Sequence, residues 1–264
     1  MHFTKMHGLG NDYLYVYGVV PSDVANLSIK LSDRHFGVGS DGMIFISPSS
    51  TADFQMRIFN ADGSEAKMCG NGIRCVGKYV YDKGYTDKKN LKISTLSGIK
   101  ELDLDVRGGK VKNVTVDMGK AVADNEISMK ISDQEYTMIP VSVGNPHAVL
   151  FVEDAEKAPV AGIGPMIEHA PAFPDGVNVE FVEVIDRENL RMRVWERGSG
   201  ITMACGTGAC ASVAAAVKKG YCKAGVPIHV HLDGGTLTIQ VNQDNTVIMT
   251  GAAETICEGE VELC

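Results

Sequence analysis

Two kinds of pattern alternate along this chain. Runs of β-branched and aromatic residues, unbroken or alternating with polar ones, predict strands at 43–47 (MIFIS) and 54–59 (FQMRIF), and again at 179–184 (VEFVEV) and 190–195 (LRMRVW). Each pair leads through a glycine-rich turn into small and apolar residues without glycine breaks, which predict helices over 76–83 (VGKYVYDK) and 211–219 (ASVAAAVKK). Both patterns stop at a Gly-Tyr pair, Gly84-Tyr85 and Gly220-Tyr221, and glycine is the usual residue just past a helix end. The second helix is Ala, Val and Ser on nearly every side, which predicts a central helix buried all round and wrapped by strands. Strands at 91–95, 101–106 and 114–118 after the first helix are answered by 227–232, 236–241 and 246–250 after the second. The stretch 153–176 reads as a short helix within a proline-bearing loop, and 258–263 (EGEVEL) as a last strand returning to the first half.

The two halves also match residue by residue. MetCysGlyAsnGly at 68–72 returns 136 positions later as AlaCysGlyThrGly at 204–208. At the same displacement Met56, Arg57, Ile58, Phe59 and Asn60 fall on Met192, Arg193, Val194, Trp195 and Glu196, and Lys83-Gly84-Tyr85 on Lys219-Gly220-Tyr221. Gly10 and Asn11 pair with Gly144 and Asn145 at a displacement two shorter. A period of this size is that of a domain, not of a solenoid repeat. The fold expected is therefore α+β: two pseudo-symmetric domains from an internal duplication, each mainly antiparallel strands around a central helix. The first domain covers 1–112, with 251–264 returning to it, and the second 113–250; the handover lies near 108–113. The bland alternative is a recurring strand, turn and helix with no chemistry attached.

Composition narrows the class. With 264 residues, 44% hydrophobic and 22% charged, the chain can bury a substantial core. A net charge of −8 with scattered Lys and Arg leaves no basic footprint for nucleic acid. The opening MHFTKMHGLGND lacks the apolar centre of a signal peptide, and no apolar run approaches the ~20 residues of a membrane span, so a cytoplasmic location without membrane contact is expected. Seven cysteines without CxxC pairs argue against a disulfide framework and for reduced thiols. Zinc is disfavoured, because Cys69/Cys75 and Cys205/Cys210 lack ligand spacing and the seven histidines form no HxxxH pattern.

Cys69 and Cys205 each stand just before a predicted helix. There a thiol meets unpaired backbone amides and the positive end of the helix dipole, which lower its pKa and make an anion site. In GlyAsnGly after Cys69 and GlyThrGly after Cys205, small residues let a carboxylate approach the backbone. A carboxylate shared by both helix starts would put its α-carbon between two thiols. That suits proton removal by a thiolate on one face and delivery by a thiol on the other, without a cofactor. The two sulfurs must hold opposite protonation states, so their titrations are coupled. A covalent cysteine nucleophile acting on an acyl group competes with this reading, although the duplication speaks against it, since such a mechanism needs one sulfur and a base. Cys75, Cys210, Cys222, Cys257 and Cys264 read as inert buried cysteines.

The segments KMHGLGND (5–12), FNADGSEAKMCGNGIRC (59–75), GNPHAVLFV (144–152), GVNVEF (176–181) and WERGSGITMACGTGACA (195–211) closely resemble the diaminopimelate epimerase family, over the whole chain. The resemblance implies interconversion of LL- and meso-2,6-diaminopimelate, no cofactor, and a homodimer. It implies that Cys69 and Cys205 are the catalytic bases, and that the amides of Gly70, Asn71, Gly206 and Thr207 hold the reacting carboxylate. Asn11, Asn60, Asn145, Asn178 and Arg197 match the residues that grip the substrate, several of them at its distal amino-acid centre. A zwitterionic centre calls for carboxamides, which donate and accept, and for a guanidinium that meets a carboxylate bidentately. Glu196 matches a residue whose backbone carbonyl faces the substrate, and with His147 it matches positions that tune the cysteine pKa values.

Taken alone, Asn11, Asn145 and Asn178 are equally turn residues, Arg197 a surface charge and His147 a loop histidine. The repeat itself breaks where Asn60 aligns with Glu196 and Ala61 with Arg197, so the reacting centre is treated symmetrically and the rest of the substrate is not. Two positions depart from the family pattern: Gly42 stands where some members carry a glutamine that touches substrate, and Ile201 where glutamate is common. Three other classes stay open: a racemase of another amino acid, which would not need Asn60, Asn178 and Arg197; a PhzF-like isomerase, which would lack the paired cysteines; and a binding protein, which would not need thiols. Closure of the two domains on substrate is expected to exclude water and align the sulfurs.

Overall fold

A computed structural model describes residues 1–262. The chain divides into two compact units, one built from Met1–Val116 together with the segment from Gly251 onward, the other from Asp117–Thr250. The first unit carries β1 (His2–Gly8), β2 (Asn11–Tyr17), α1 (Val24–Ser32), β3 (Gly42–Pro48), β4 (Phe54–Asn60), β5 (Glu65–Ala66), α2 (Gly70–Asp82), β6 (Asn90–Thr95), β7 (Gly98–Arg107) and the start of β8 (Lys110–Lys120). The second carries β9 (Val122–Ala123), β10 (Ile127–Ile131), β11 (Gln134–Ser142), β12 (Pro146–Val152), α3 (Val160–Glu168), β13 (Asn178–Val184), β14 (Asn189–Glu196), β15 (Gly200–Ile201), α4 (Gly206–Lys218), β16 (Ile228–Leu232), β17 (Gly235–Val241) and most of β18 (Thr246–Ala252). The chain then re-enters the first unit as β19 (Glu254–Glu260).

The duplication is visible in the ladders. In the first unit β1–β2 is antiparallel, β2–β3 parallel, β3–β4 antiparallel, β4–β6 parallel, and β6–β7 and β7–β8 antiparallel. The same succession runs through β11–β12, β12–β13, β13–β14, β14–β16, β16–β17 and β17–β18. Parallel neighbours need a crossover, and α1, α2, α3 and α4 each lie within one. Each unit is thus mainly antiparallel with two parallel steps, and the α+β reading of the sequence stands.

The helices begin earlier than the apolar pattern indicates, α2 at Gly70 and α4 at Gly206. The glycines after each cysteine are therefore the first helical turn and not a turn before it. Both helices close as the Gly-Tyr pairs require: the Tyr85 N–H reaches Val80 O and the Tyr221 N–H reaches Ala216 O, each at 2.9 Å, with Gly84 and Gly220 at positive φ. Every α4 residue from Ala209 to Ala216 is buried. A second apolar core in each unit packs under the shorter helix, with Leu31, Phe45 and Phe59 in the first and Ile163, Ile167 and Phe181 in the second.

The cysteine reading needs one correction. Cys75, Cys210 and Cys222 are buried, but Cys257 is exposed, standing on β19, which pairs with β1 and whose residues 254–258 are all exposed. Cys264 lies outside the described residues.

The buried thiols carry a prediction. Burial pushes Cys75 from the ordinary 9.0 up to about 11, and Cys222 likewise to about 11. An unfolded chain loses these protons near pH 9 while the folded one keeps them, so the stabilisation is complete below pH 9 and is lost as pH rises towards 11. The melting temperature is expected to fall across that window, and Cys75→Ala to flatten part of the fall; equal slopes for the two proteins would refute the assignment to Cys75.

Candidate active site

Cys69 is the N-cap of α2, with extended backbone (φ −142°, ψ 115°), and its sulfur accepts the Gly72 N–H at 3.3 Å. The Cys69 thiol in turn points to Asn11 Oδ1 at 3.4 Å. Asn11 opens β2 just after a tight hairpin whose two loop residues, Leu9 (φ 57°) and Gly10 (φ 86°), both have positive φ. A buried leucine in that conformation is strained, and the turn delivers Asn11 to the sulfur. Asn71, in the first turn of α2, donates from Nδ2 to the same Asn11 oxygen at 3.4 Å. Asn60 closes β4, and its carboxamide donates to Ser64 Oγ at 3.1 Å within its own turn. The next residue links this turn to Asn11's surroundings, because the Ala61 N–H bonds Asp41 O at 2.9 Å.

In the second unit Cys205 is the N-cap of α4 and its sulfur accepts the Gly208 N–H at 3.3 Å, as Cys69 does from Gly72. Here the sulfur is buried and faces Thr207 Oγ1 at 3.6 Å and the Glu196 carboxyl. Burial, then the charges of Glu196 and Glu180, raise the Cys205 thiol well above its ordinary value, and Thr207 and the Gly208 N–H only partly offset them. Glu196 is itself raised, chiefly by burial, and the Thr202 hydroxyl hydrogen-bonds it. The Glu196 backbone carbonyl accepts the Ser199 N–H at 3.0 Å.

A hydrogen-bonded chain runs back from Thr207: Asn145 Nδ2 donates to Thr207 Oγ1 at 3.2 Å, Asn145 Oδ1 lies 3.0 Å from His147 Nε2, and His147 Nδ1 lies 2.6 Å from Glu180 Oε1. Asn178 spans Pro146 O (3.1 Å) and the Arg197 N–H (3.0 Å), so its carboxamide clamps two segments of the site. The Arg197 guanidinium donates to Asp175 O at 2.9 Å. Cys205, Glu196, Thr207, Asn145 and His147 thus join one local network, and Asn178 and Arg197 form a second that reaches the Pro146 backbone between Asn145 and His147.

Several residues escaped the reading of the sequence. Glu180 lies in a strand otherwise read as core; a carboxylate inside an apolar run was the signal. Glu168 is buried at the end of α3 and accepts from Trp195 Nε1 (2.7 Å) and the Gly198 N–H (2.9 Å), pinning the strand end that carries Glu196 and Arg197. Asp41, Arg34 and Arg74 surround Asn11 and Asn71, and nothing in their spacing marks them. Among the described residues no cluster of His, Cys, Asp and Glu is arranged to hold a metal ion, and no helix is long and apolar enough to cross a membrane.

Gly42 has a structural reason to lack a side chain. Its φ is 154°, and a Cβ there would lie 2.2 Å from Phe59 O and 2.9 Å from Tyr13 Cε1. A glutamine therefore cannot stand at 42 without moving β4. Gly42→Ala is expected to destabilise the protein by about 1–3 kcal/mol, measured by chemical denaturation; an unchanged midpoint would show that the strand yields freely.

Comparison with known proteins bears on these two cysteine settings. The sequence profile of the diaminopimelate epimerase family matches residues 3–123 and 139–256. Diaminopimelate epimerase of Acetivibrio thermocellus is 52% identical over 282 aligned positions, covering 100% of this chain and 99% of that protein. The enzyme of that name from Methanococcus maripaludis is 51% identical, covering 100% of both. Among solved structures, a PhzF-family phenazine biosynthesis protein of Bacillus anthracis superposes with a TM-score of 0.80 at 16% identity, covering 100% of this chain and 99% of the other. A probable proline racemase of Agrobacterium radiobacter gives 0.77 at 17% identity, covering 100% and 93%. At such identities these two share the fold alone. The full-length sequence matches go further, and the chain belongs to the diaminopimelate epimerase family.

Proposed function

We propose that this protein interconverts LL- and meso-2,6-diaminopimelate by moving the α-proton between Cys69 and Cys205. The observation that carries the reading is the repeated setting of the two sulfurs: each caps a helix and accepts one amide of its first turn. Each also has a proton acceptor nearby, Asn11 Oδ1 for Cys69 and the Glu196 carboxyl for Cys205. A sulfur that alternates between thiolate and thiol needs both kinds of partner, one for each state.

In this mechanism the thiolate of one cysteine takes the α-proton and becomes a thiol. The thiol of the other delivers its proton to the opposite face of the carbon and becomes a thiolate. The amides of Gly70, Asn71, Gly206 and Thr207 hold the substrate carboxylate and stabilise the carbanion-like transition state. Asn11, Asn60, Asn145, Asn178 and Arg197 grip the substrate, several of them at its distal centre, while Glu196 and His147 set proton affinity around Cys205. The protons balance over one turnover, with the two sulfurs exchanged in state, so no cofactor is called for. The same reading takes the enzyme as a cytoplasmic homodimer, which light scattering and cell fractionation check.

The test is transfer of solvent deuterium into the α-position of LL-diaminopimelate by the reduced protein without added cofactor. Incorporation with formation of the meso isomer is the expected result. Absence of exchange, with folding intact, would move the assignment to another amino acid.

A further inference from the structure

Two asparagine carboxamides lie between Cys69 and the rest of the first unit, and each can turn two ways. A carboxamide presents an oxygen or an NH2 group depending on a flip that diffraction seldom resolves, so its neighbours must decide. Here the neighbours at both ends allow one answer. At one end Arg74, a guanidinium without any acceptor atom and 0% exposed, donates from one terminal nitrogen to Asn71 Oδ1 at 3.0 Å and from the other to Gly70 O at 3.1 Å. This forces the Asn71 NH2 towards Asn11, whose Oδ1 receives it at 3.4 Å. At the other end the Asn11 NH2 donates to Asp41 Oδ2 at 2.8 Å, a carboxylate oxygen that accepts. Asp41 is held in turn by the Asp12 N–H at 3.0 Å and by Arg34 at 2.9 Å. A donor-only group at one end and an acceptor-only group at the other leave one orientation for both amides.

We propose that Arg74 and Asp41 are positioning residues that lock the Asn71 and Asn11 carboxamides in this orientation, so that Asn11 turns its carbonyl oxygen, never its NH2, to the Cys69 sulfur. This rests on the two-thiol reading above for its catalytic meaning. The consequence is that the thiol form of Cys69 has a fixed acceptor for its proton, which makes the sulfur a stronger base towards a weakly acidic C–H and sets it against the Gly72 N–H that favours the thiolate. Beside Cys205 the acceptor is a carboxyl, that of Glu196, which the repeat aligns with Asn60 and not with Asn11. The two halves therefore meet the same need with different groups, an amide oxygen fixed from both ends in one and a buried carboxyl in the other.

The other charged and titratable groups around Cys69 and Asn11 must be separated from this effect. Lys5 on β1 pairs with Asp12 at 3.0 Å, and Asp12 also receives Arg34 at 2.9 Å. His7 accepts the Gly10 N–H at 3.1 Å, and the buried Tyr15 and Cys75 lie behind the helix start. Asp12 provides the control, because Asp12→Asn removes a negative charge from the same cluster without touching the side-chain bond to Asn11. In Asp41→Asn the acceptor-only end is lost, because the new side chain offers an NH2 group as well as an oxygen to Asn11, the Asp12 N–H and Arg34, and Asn11 no longer has one enforced orientation.

The experiment is the pH dependence of alkylation of Cys69 and Cys205 by iodoacetamide, each followed by mass spectrometry, in the full chain and in the two variants. Asp41→Asn is expected to give about tenfold more Cys69 thiolate at a fixed pH than Asp12→Asn does, a shift of about one pH unit, while Cys205 stays where it was. Equal shifts in the two variants would mean that charge alone acts, and no shift in Asp41→Asn would mean that the amides are not locked; either overturns the proposal. The unsubstituted protein gives a second readout that needs neither aspartate variant. Its infrared S–H stretch, isolated by subtraction of the Cys69→Ser spectrum, is expected at the frequency of a thiol bonded to a carbonyl, and a free-thiol frequency also overturns the proposal. A Cys69-specific shift in a protein that exchanges no α-proton would leave the positioning in place and remove the two-thiol reading. Exchange with unmoved thiol midpoints would do the reverse.

Discussion

Serine in place of either Cys69 or Cys205 is expected to lower the rate of α-proton exchange by about 10²–10⁴-fold, the range over which a positioned acid or base contributes. A hydroxyl fills nearly the same space and accepts the same first-turn amide, from Gly72 or from Gly208, so the helix starts should survive the change. What it cannot do is ionise near neutral pH. Because one sulfur removes the proton and the other restores one, loss of either interrupts the same turnover, and the double variant should be scarcely slower than the worse single one. Comparable loss in both variants, with melting temperatures within a few degrees of the parent, is the pattern to look for. A variant that keeps a tenth of the parental rate would remove its cysteine from the mechanism and return the covalent single-cysteine alternative to consideration.

The second large effect is on stability. Glu180 and His147 face each other with side chains 0% exposed, 2.6 Å apart, and Glu180 Oε2 has no hydrogen-bond partner among the described residues. Removing one member of such a pair leaves the other's polar atoms buried without a partner, which costs about 3–5 kcal/mol, whereas replacing both with apolar groups is often close to neutral. Glu180→Leu is therefore expected to lose about 3–5 kcal/mol in denaturant unfolding, and Glu180→Leu combined with His147→Leu to recover much of it. Additive losses in the double variant would show that the two residues do not act as a pair. The same substitutions bear on chemistry, since His147 holds Asn145 and Asn145 holds Thr207 beside Cys205.

What could be read from the sequence follows from the range of the interaction concerned. Periodicity located β3, β4, β13 and β14 to within a residue or two, because their facing sides alternate or are wholly apolar. It placed α2 and α4 but not their starts, since Gly70, Asn71 and Gly72 have poor helix propensity and are helical here through packing and capping. The nine-residue α1 left no trace in the reading: only Ser28, Leu31 and Ser32 of it are buried, too narrow a stripe to stand out from a loop. Strands β10 and β11 were missed for a similar reason, since no residue of β10 is buried and β11 buries only Met138, Ile139 and Val141. Of the candidate site, the sequence motifs supply the residues proposed to act. Asp41, Arg34 and Glu168 were not legible, because each reaches its partner across a turn or from another strand. Cys257 misled because the general tendency of cysteine to be buried says nothing about a strand whose residues 254–258 all face solvent.

The pairing of β1 with β19, which sets His2 opposite Glu260, makes the first unit discontinuous in the chain. The second unit is one unbroken segment, and its ladders join strands close in sequence, so during synthesis it can complete its own folding as soon as it has emerged. The first unit must wait with one edge of β1 open until β19 arrives after the whole intervening domain. Closing so long a loop raises the contact order, slows the final step, and leaves an unpaired strand edge exposed in the meantime. Refolding from denaturant should accordingly proceed in two phases, the slower one being acquisition of protection by the β1 amides.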